Sequence, residues 1–393
     1  MSRPLFLPVV LVLAACGGSA PPPSSSPPAT APAASASGTA PVAKGDNKEQ
    51  PKLTMPEMQL RYLQAYVKAF NKHDAKAVAA LYSPDAVFIE RGSPGSASRD
   101  AIIANYQDYF DAYPDVTTSI TRSWHWGDAT LFEYVEGGTQ SGERIVIPPA
   151  PQPLDPLSAE IAPKAPSRRI QKPTGKKFGY VGASLLRFTP EGLVRQDMTY
   201  ADELTREVQS GWAPGQLAKL PVRAVVPVPP PSDTWEVHKV STTEAGQAQV
   251  NAARTSLYKK FSLRSEKEFL GALTDDVVLS SFDDPSDAKG KAGAAVLFKE
   301  WTTMFSDGVV DATDGWSVDG YAVLIGTYTG KHVGPWGPIK PTQKTFKTHF
   351  LDIAKVDKDG KVQRLWSYAN NYELLQYLGY EKDDGKGGDP KKL

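Results

Sequence analysis

The chain has 393 residues, with 44 Lys and Arg against 44 Asp and Glu, and a single cysteine. A net charge of zero with both signs interspersed gives no electrostatic footprint for nucleic acid and no polybasic patch for a membrane surface. One cysteine excludes an intrachain disulfide.

The N-terminus carries Arg3, an apolar run from Leu5 to Val12, and then Leu13-Ala14-Ala15-Cys16. The run is too short to span a bilayer as a mature helix, and the small residues before the cysteine mark a cleavage site. Residues 1–15 resemble a bacterial lipoprotein signal, which implies lipidation of Cys16 as the first mature residue. The alternative is an ordinary secretory signal with an incidental cysteine. By the same resemblance, Gly17 after the cysteine favours the outer membrane, so the expected location is the cell envelope, with the membrane contacted through the Cys16 lipid only. Residues 16–50 are mostly Pro, Ala, Ser and Gly, too poor in large apolar side chains to offset ordering entropy, and read as an extended tether.

In the next segment, 51–212, Thr54-x-x-Glu57 is a capping-box signature, and Met58, Tyr62, Tyr66, Ala69 and Phe70 recur at helical spacing. A short helix follows Asp74, and a third spans Arg99 to Tyr113 through Ile102, Ile103, Tyr106 and Phe110. β-Branched and aromatic runs near 116–126, 128–139, 177–188 and 193–202 predict strands. Residues 213–242 read as a stiff, Pro-rich linker. The segment 243–381 repeats the order, with helices carrying Val250, Leu257 and Phe261, then the capping box Ser265-x-x-Glu268, then Leu297, Phe298, Trp301 and Phe305. Strands are predicted near 309–318, 320–330, 343–356 and 361–370, and 382–393 is a polar tail.

The two segments are copies of one domain. Pro173-Thr174-x-Lys176-x-Phe178 recurs 168 residues later as Pro341-Thr342-x-Lys344-x-Phe346, and Tyr200-Ala201 and Gly211-Trp212 recur as Tyr368-Ala369 and Gly379-Tyr380 at the same offset. Phe70 and Asp85 match Phe261 and Asp276 at an offset of 191, and Gly138-Thr139-x-x-Gly142 is matched to Gly326-Thr327-x-x-Gly330 at 188. The drop from 188 to 168 predicts twenty extra residues in copy 1, a Pro-rich stretch near 146–170 expected as a long hairpin loop or flap.

Helices followed by an antiparallel sheet is an α+β order. Phe70-Asn71-x-His73-Asp74, Leu81-Tyr82-x-Pro84-Asp85-Ala86-Val87-Phe88, Gly138-Thr139-x-x-Gly142, Pro173-Thr174-Gly175-Lys176 and Gly192-x-Val194-x-x-x-Met198-x-x-x-Asp202 resemble the SnoaL-like, ester-cyclase branch of the nuclear transport factor 2-like superfamily. The resemblance implies two cone-shaped domains, each with three N-terminal helices packed on a curved antiparallel sheet, and sheets that pair through their outer faces as an intrachain pseudo-dimer.

In SnoaL-like polyketide cyclases an Asp at the end of the last strand is the general acid/base of a metal-free aldol closure, and Asp202 stands at that position. Val194, Met198, Tyr200 and Asp202 share parity, which predicts one common face towards a pocket. An apolar cone would raise the Asp202 pKa towards that of a working base; the alternative is that Asp202 caps the segment Glu203 to Ser210. Trp124 and Trp126 share a strand face as a candidate apolar wall, with strand core as the alternative. Glu133 lies mid-strand and reads as a solvated residue on the outer face, with a second pocket carboxylate as the alternative. In copy 2, His349, Trp366, Tyr368 and Asn370 are the candidate ligand contacts, with His349 also readable as a base or as a satisfied core histidine, and Asn370 where copy 1 has Asp202 predicts a domain that binds without proton transfer or is architectural. The five histidines show no metal-ligand spacing, and no P-loop, dinucleotide fingerprint or nucleophile elbow occurs, so no metal or cofactor is expected. The expected function is an envelope lipoprotein binding a small, mostly apolar, oxygenated or carbonyl-bearing molecule in the first cone. A cofactor-free cyclase or isomerase using Asp202, and a structural module without ligand, are the alternatives.

Overall fold

The computed structural model describes residues 53–90, 96–146, 169–239 and 244–380. The signal and tether (1–50), the body of the insert (147–168) and the tail (382–393) lie outside the described residues.

In the first domain α1 (Met55–Phe70) opens on the Thr54/Glu57 capping box, with the Thr54 amide donating to Glu57 Oε2 at 2.8 Å. Helices α2 (Ala75–Ala79) and α3 (Arg99–Ala112) follow, with β1 (Tyr82–Glu90) and β2 (Ser96–Ala97) between them. The long strands are β3 (Thr117–Trp126), β4 (Ala129–Thr139), β7 (Lys177–Phe188) and β8 (Val194–Ala201), and α4 (Glu203–Ser210) closes the domain. Short strands β5 (Arg144–Val146) and β6 (Arg169–Gln171) pair antiparallel at the base of the Pro-rich insert. The sheet order is β2-β1-β8-β7-β4-β3-β9, where β9 (Glu236–Lys239) comes from the linker and pairs parallel with β3. β1 is absent from the sequence expectation, because Pro84, Asp85 and a broken alternation conceal it; it pairs parallel with β8 around a bulge.

The second domain repeats this plan. Helix α5 (Glu244–Ala253) runs through a π-helical turn, Arg254–Lys259, into one last α-turn, and α6 (Glu266–Gly271) and α7 (Gly290–Met304) follow. Strands β10 (Leu273–Ser281), β11 (Ala288–Lys289), β12 (Phe305–Val318), β13 (Tyr321–His332), β14 (Thr345–Val356) and β15 (Val362–Ala369) form a sheet ordered β11-β10-β15-β14-β13-β12, capped by α8 (Asn371–Leu378).

Register corrects one part of the repeat. In β3 and β12 a bulge falls at Thr121 and Thr313, whose hydroxyls donate to Glu133 O and Ile325 O, both at 3.3 Å. Gly138 pairs with Phe178, whereas Phe346 pairs with Gly330 rather than Gly326. The strand equivalence is therefore Gly138 with Gly330, an offset of 192, four residues from the sequence match, and the insert is twenty-four residues rather than twenty. A repeated Gly-Thr-x-x-Gly slid by four looks alike in sequence, but only one register carries the bulge.

Each sheet has one face on its own helices and one on the other domain. Helix-side residues such as Tyr62, Leu63, Phe70, Tyr82, Ile102, Phe132, Tyr180 and Leu186 form the first cone's core. On the opposite face Trp124, Leu131, Leu185 and Tyr200 pack with Val323, Leu351, Ile353 and Tyr368 of the second domain. At ~1.5–3 kcal/mol for each large apolar side chain buried, this is a permanent contact. The linker reinforces it: Arg223 donates to Ser281 O at 2.8 Å, Asp284 O at 3.1 Å and Asp287 Oδ1 at 3.0 Å, while the Val226 amide donates to Gly179 O at 2.9 Å.

Candidate functional site

The residues expected to line a pocket lie between the domains. Trp124, Met198, Tyr200 and Tyr368 belong to the inter-sheet core, with Trp126 and Trp366 packed at its margin. Trp126 meets Trp316 at 5.1 Å between centroids, and the Arg122 guanidinium lies 4.2 Å over the Trp366 ring. Parity had grouped Val194 with Met198 and Tyr200, but a bulge at Arg195 reverses the alternation, so Val194 faces the cone and the other two face away from it.

Glu133 is likewise not solvated. Its carboxylate takes the Arg122 guanidinium at 2.6 Å and the Tyr368 hydroxyl of the other domain. His349 also faces away from its cone, and Glu373 holds it: Oε1 takes Nδ1 at 2.6 Å and Oε2 takes its amide at 2.8 Å.

Asp202 is a cap. Its Oδ2 accepts the Thr205 amide at 3.0 Å and hydroxyl at 2.6 Å, and its Oδ1 accepts the Asn371 amide of α8 at 2.9 Å. Asn370 does the reverse, accepting the Tyr372 amide at 3.0 Å and the Glu203 amide of α4 at 3.3 Å. Each domain thus caps its own closing helix and its partner's, the reciprocal contact of a pseudo-two-fold interface. Burial, with Asp283 nearby, pushes the Asp202 carboxyl up to about 7. That perturbation has the origin expected from the sequence, but the group bonds helix termini and not a cone.

The polar interior of the first cone is built on a residue that sequence reasoning passed over, Asp197. On β8 it stands between Met198 and Gln196 and projects towards the helices, where the Tyr82 hydroxyl donates to Oδ2 at 2.6 Å and the Thr199 hydroxyl to Oδ1 at 3.2 Å; Thr199 in turn meets Ser184 at 2.8 Å. Only 3% of Asp197 is exposed, and burial, with a further push from Glu90, raises its carboxyl to about 6. Further along the same interior, Glu136 accepts hydroxyls from Tyr109 and from Tyr180 at 2.5 Å, and burial raises its carboxyl too. The phenols of Tyr106 and Tyr134 lie in the field of both carboxylates, and burial pushes them upward so that they remain neutral donors. Gly182 makes room: a Cβ there would meet the Tyr134 ring at 2.5 Å. Arg206 on α4 sits beside this network, bonded to Glu203 at 2.8 Å. Such a set can hold a ligand oxygen and move a proton near neutral pH.

Register fixes the counterparts in the second domain. Tyr82, Tyr106, Asp197 and Arg206 correspond to Leu273, Phe298, Leu365 and Leu374, and Glu136 to Tyr328. The substitution of Leu365 for Asp197 sits at the same offset of 168 that exposed Asp202 and Asn370, so it was available in the sequence. Among the described residues no cluster of three His, Cys, Asp or Glu side chains could hold a metal ion.

Comparison with known proteins agrees with this architecture. A SnoaL-like domain model matches residues 63–196, and a SnoaL-like polyketide cyclase model matches 252–378. The chain carries two SnoaL-like domains. Several solved structures are similar to part of the chain. A putative SnoaL-like polyketide cyclase from Jannaschia sp. CCS1 is 13% identical over 42% of this chain and 99% of its own, with a TM-score of 0.32. A putative polyketide cyclase from Xanthomonas campestris pv. campestris is 17% identical over 40% and 99%, at 0.30. A hypothetical protein with a ketosteroid isomerase-like fold from Catenulispora acidiphila, solved with trimethylamine, is 20% identical over 38% and 92%, at 0.28. No curated protein matches the chain.

Proposed function

We propose that the first SnoaL-like cone binds a small, mostly apolar, oxygenated molecule and that Asp197 anchors its polar end. The contrast between the cones carries this reading. Buried carboxylates cost several kcal/mol to desolvate, and well-packed apolar residues in their place are commonly neutral or stabilising. The second domain closes the same architecture with Leu273, Phe298 and Leu365 in one apolar cluster and Leu374 in the adjoining one, so the fold does not demand Tyr82, Tyr106, Asp197 and Arg206. Their retention supports a role in binding.

A second reading, proton transfer to or from a carbonyl-bearing molecule, is favoured by the Asp197 carboxyl at about 6, close to the pH where positioned acid/base groups are effective. In that reading Asp197 takes the role expected of Asp202. Native mass spectrometry of the purified chain, with solvent extraction to identify what is retained, tests both. A retained oxygenated molecule that dissociates in Asp197→Asn supports binding, and turnover lost with binding intact supports acid/base chemistry. Retention indifferent to Asp197 sinks both.

The Leu13-Ala14-Ala15-Cys16 sequence supports a lipid-anchored envelope location. Cys16→Ser is expected to move the protein to the soluble envelope fraction; unchanged membrane fractionation would contradict it.

A further inference from the structure

The second cone is not uniformly apolar. Where β7 and β8 pair Ser184 with Thr199, β14 and β15 pair Asp352 with Ser367, so the second domain places its buried acid one strand away from the position used in the first. Asp352 projects to the helix side of its sheet and is 5% exposed. Its Oδ2 accepts the Tyr258 hydroxyl at 3.0 Å and the Ser367 hydroxyl across the strand pair also stabilises the carboxylate, while Oδ1 is buried with no well-aligned hydrogen bond among the described residues. A buried carboxylate oxygen without a well-aligned donor is costly, so a group that bonds it on binding recovers that energy.

Two further observations concern access. Leu365, Ser367 and Ala369, on the cone face of β15, are half-buried, whereas Asp197, Thr199 and Ala201 in the first domain are buried. Tyr258 stands on the π-helical turn Arg254–Lys259, a distortion that often marks functional positions. A cleft of about 370 Å³ between that turn and β12 is lined by Arg254, Tyr258, Leu263, Val309, Val310 and Ala312. Tyr258 therefore touches the cleft on one side and the acid on the other. Leu263 and Val309 are 59% and 52% exposed, apolar surface at the edge of the cleft.

We infer that the second cone is a binding site in its own right, taking a small, mostly apolar molecule whose hydroxyl donates to Asp352 Oδ1. It differs from the first site in where the acid stands and in the surrounding wall, Leu273, Phe298 and Leu365 in place of Tyr82, Tyr106 and Asp197. The two cones thus select different molecules of related chemistry. Burial raises the Asp352 carboxyl to about 7, so near neutral pH it accepts from, or donates to, the same hydroxyl.

Titration of the full chain with 4-fluorophenol, followed by ¹⁹F NMR, tests this. Wild type is expected to show a saturable site that Asp352→Asn weakens at least ten-fold and that Asp197→Leu leaves unchanged. Asp352→Ser, which restores the residue of the first domain at that place, should weaken it similarly and guards against misfolding of a single variant. Absence of a saturable site that survives Asp197→Leu, or such a site indifferent to both Asp352 variants, would overturn the inference.

Discussion

The same cone is closed twice in this molecule, once around a network of hydroxyls and carboxylates and once mostly around leucine and phenylalanine, with Asp352 and Tyr258 its polar pair. Tyr82 and Asp197, bonded at 2.6 Å, face Leu273 and Leu365 at the equivalent places. The helices, the strand order, the bulge at Thr121 and Thr313, and the paired helix caps are common to both. Features present in both domains are needed to make and pair the cones. The polar groups that the two interiors do not share, Tyr82 and Asp197 in the first above all, are additional to the fold, and that is where binding chemistry is to be sought.

The largest expected effect lies in the interface, where the comparison is broken by making the first domain resemble the second. Glu133→Ile reproduces Ile325, but it leaves the Arg122 guanidinium buried without its carboxylate and removes the acceptor of Tyr368. Removing one member of a buried pair costs roughly 3–5 kcal/mol. Denaturant unfolding should show that loss; a change below ~1 kcal/mol would mean the ion pair does not hold the sheets together.

A smaller effect sharpens the contrast at Asp197. Its carboxyl is raised from 3.8 to about 6 in the folded protein, so between those values the folded state holds a proton that the unfolded state has released. Wild type therefore loses stability relative to Asp197→Asn as pH rises from 4 to 7, by up to ~3 kcal/mol at ~1.4 kcal/mol per pKa unit. Thermal melts of both proteins across that range check it, and a difference independent of pH would remove the buried, perturbed acid from the account.

The smallest effect concerns the caps. Asp202→Asn keeps one of the two acceptor oxygens, so at pH 4, below the raised Asp202 carboxyl, it should lose less stability than Asp202→Ala, which leaves amides of α4 and α8 without their acceptor and should lose ~1–2 kcal/mol. Equal losses in both would show that an amide does not serve as this cap.

The helices and the long strands were legible in the sequence because Tyr62, Tyr66 and Phe70 recur at helical spacing and the β-branched runs alternate. Which face of each strand meets the helices was not. The aromatic, apolar face of β8 and β15 looked like a pocket wall, but when two copies pair through their sheets that face becomes the interface, and the cone inherits the polar parity that holds Asp197 and Thr199. The bulge at Arg195, which puts Val194 and Met198 on opposite faces, has no residue signature of its own. Asp202 was expected to be perturbed by an apolar cone; it is buried at the helix caps instead, and the choice between cap and catalyst turned on Asn371, a partner 169 residues away.

The most direct test of the central claim transplants the second interior into the first. Tyr82→Leu with Asp197→Leu removes both partners of the hydrogen bond together, a replacement that is commonly neutral or stabilising when the volumes are filled. Native mass spectrometry reports the charge-state envelope, hence the fold, and the retained molecule in one spectrum. The account predicts that the double variant keeps the compact envelope of wild type and loses the molecule that wild type carries in its first cone. An expanded envelope would make the polar interior a requirement of the fold, and a compact variant that still holds the molecule would place binding elsewhere; either result contradicts the account.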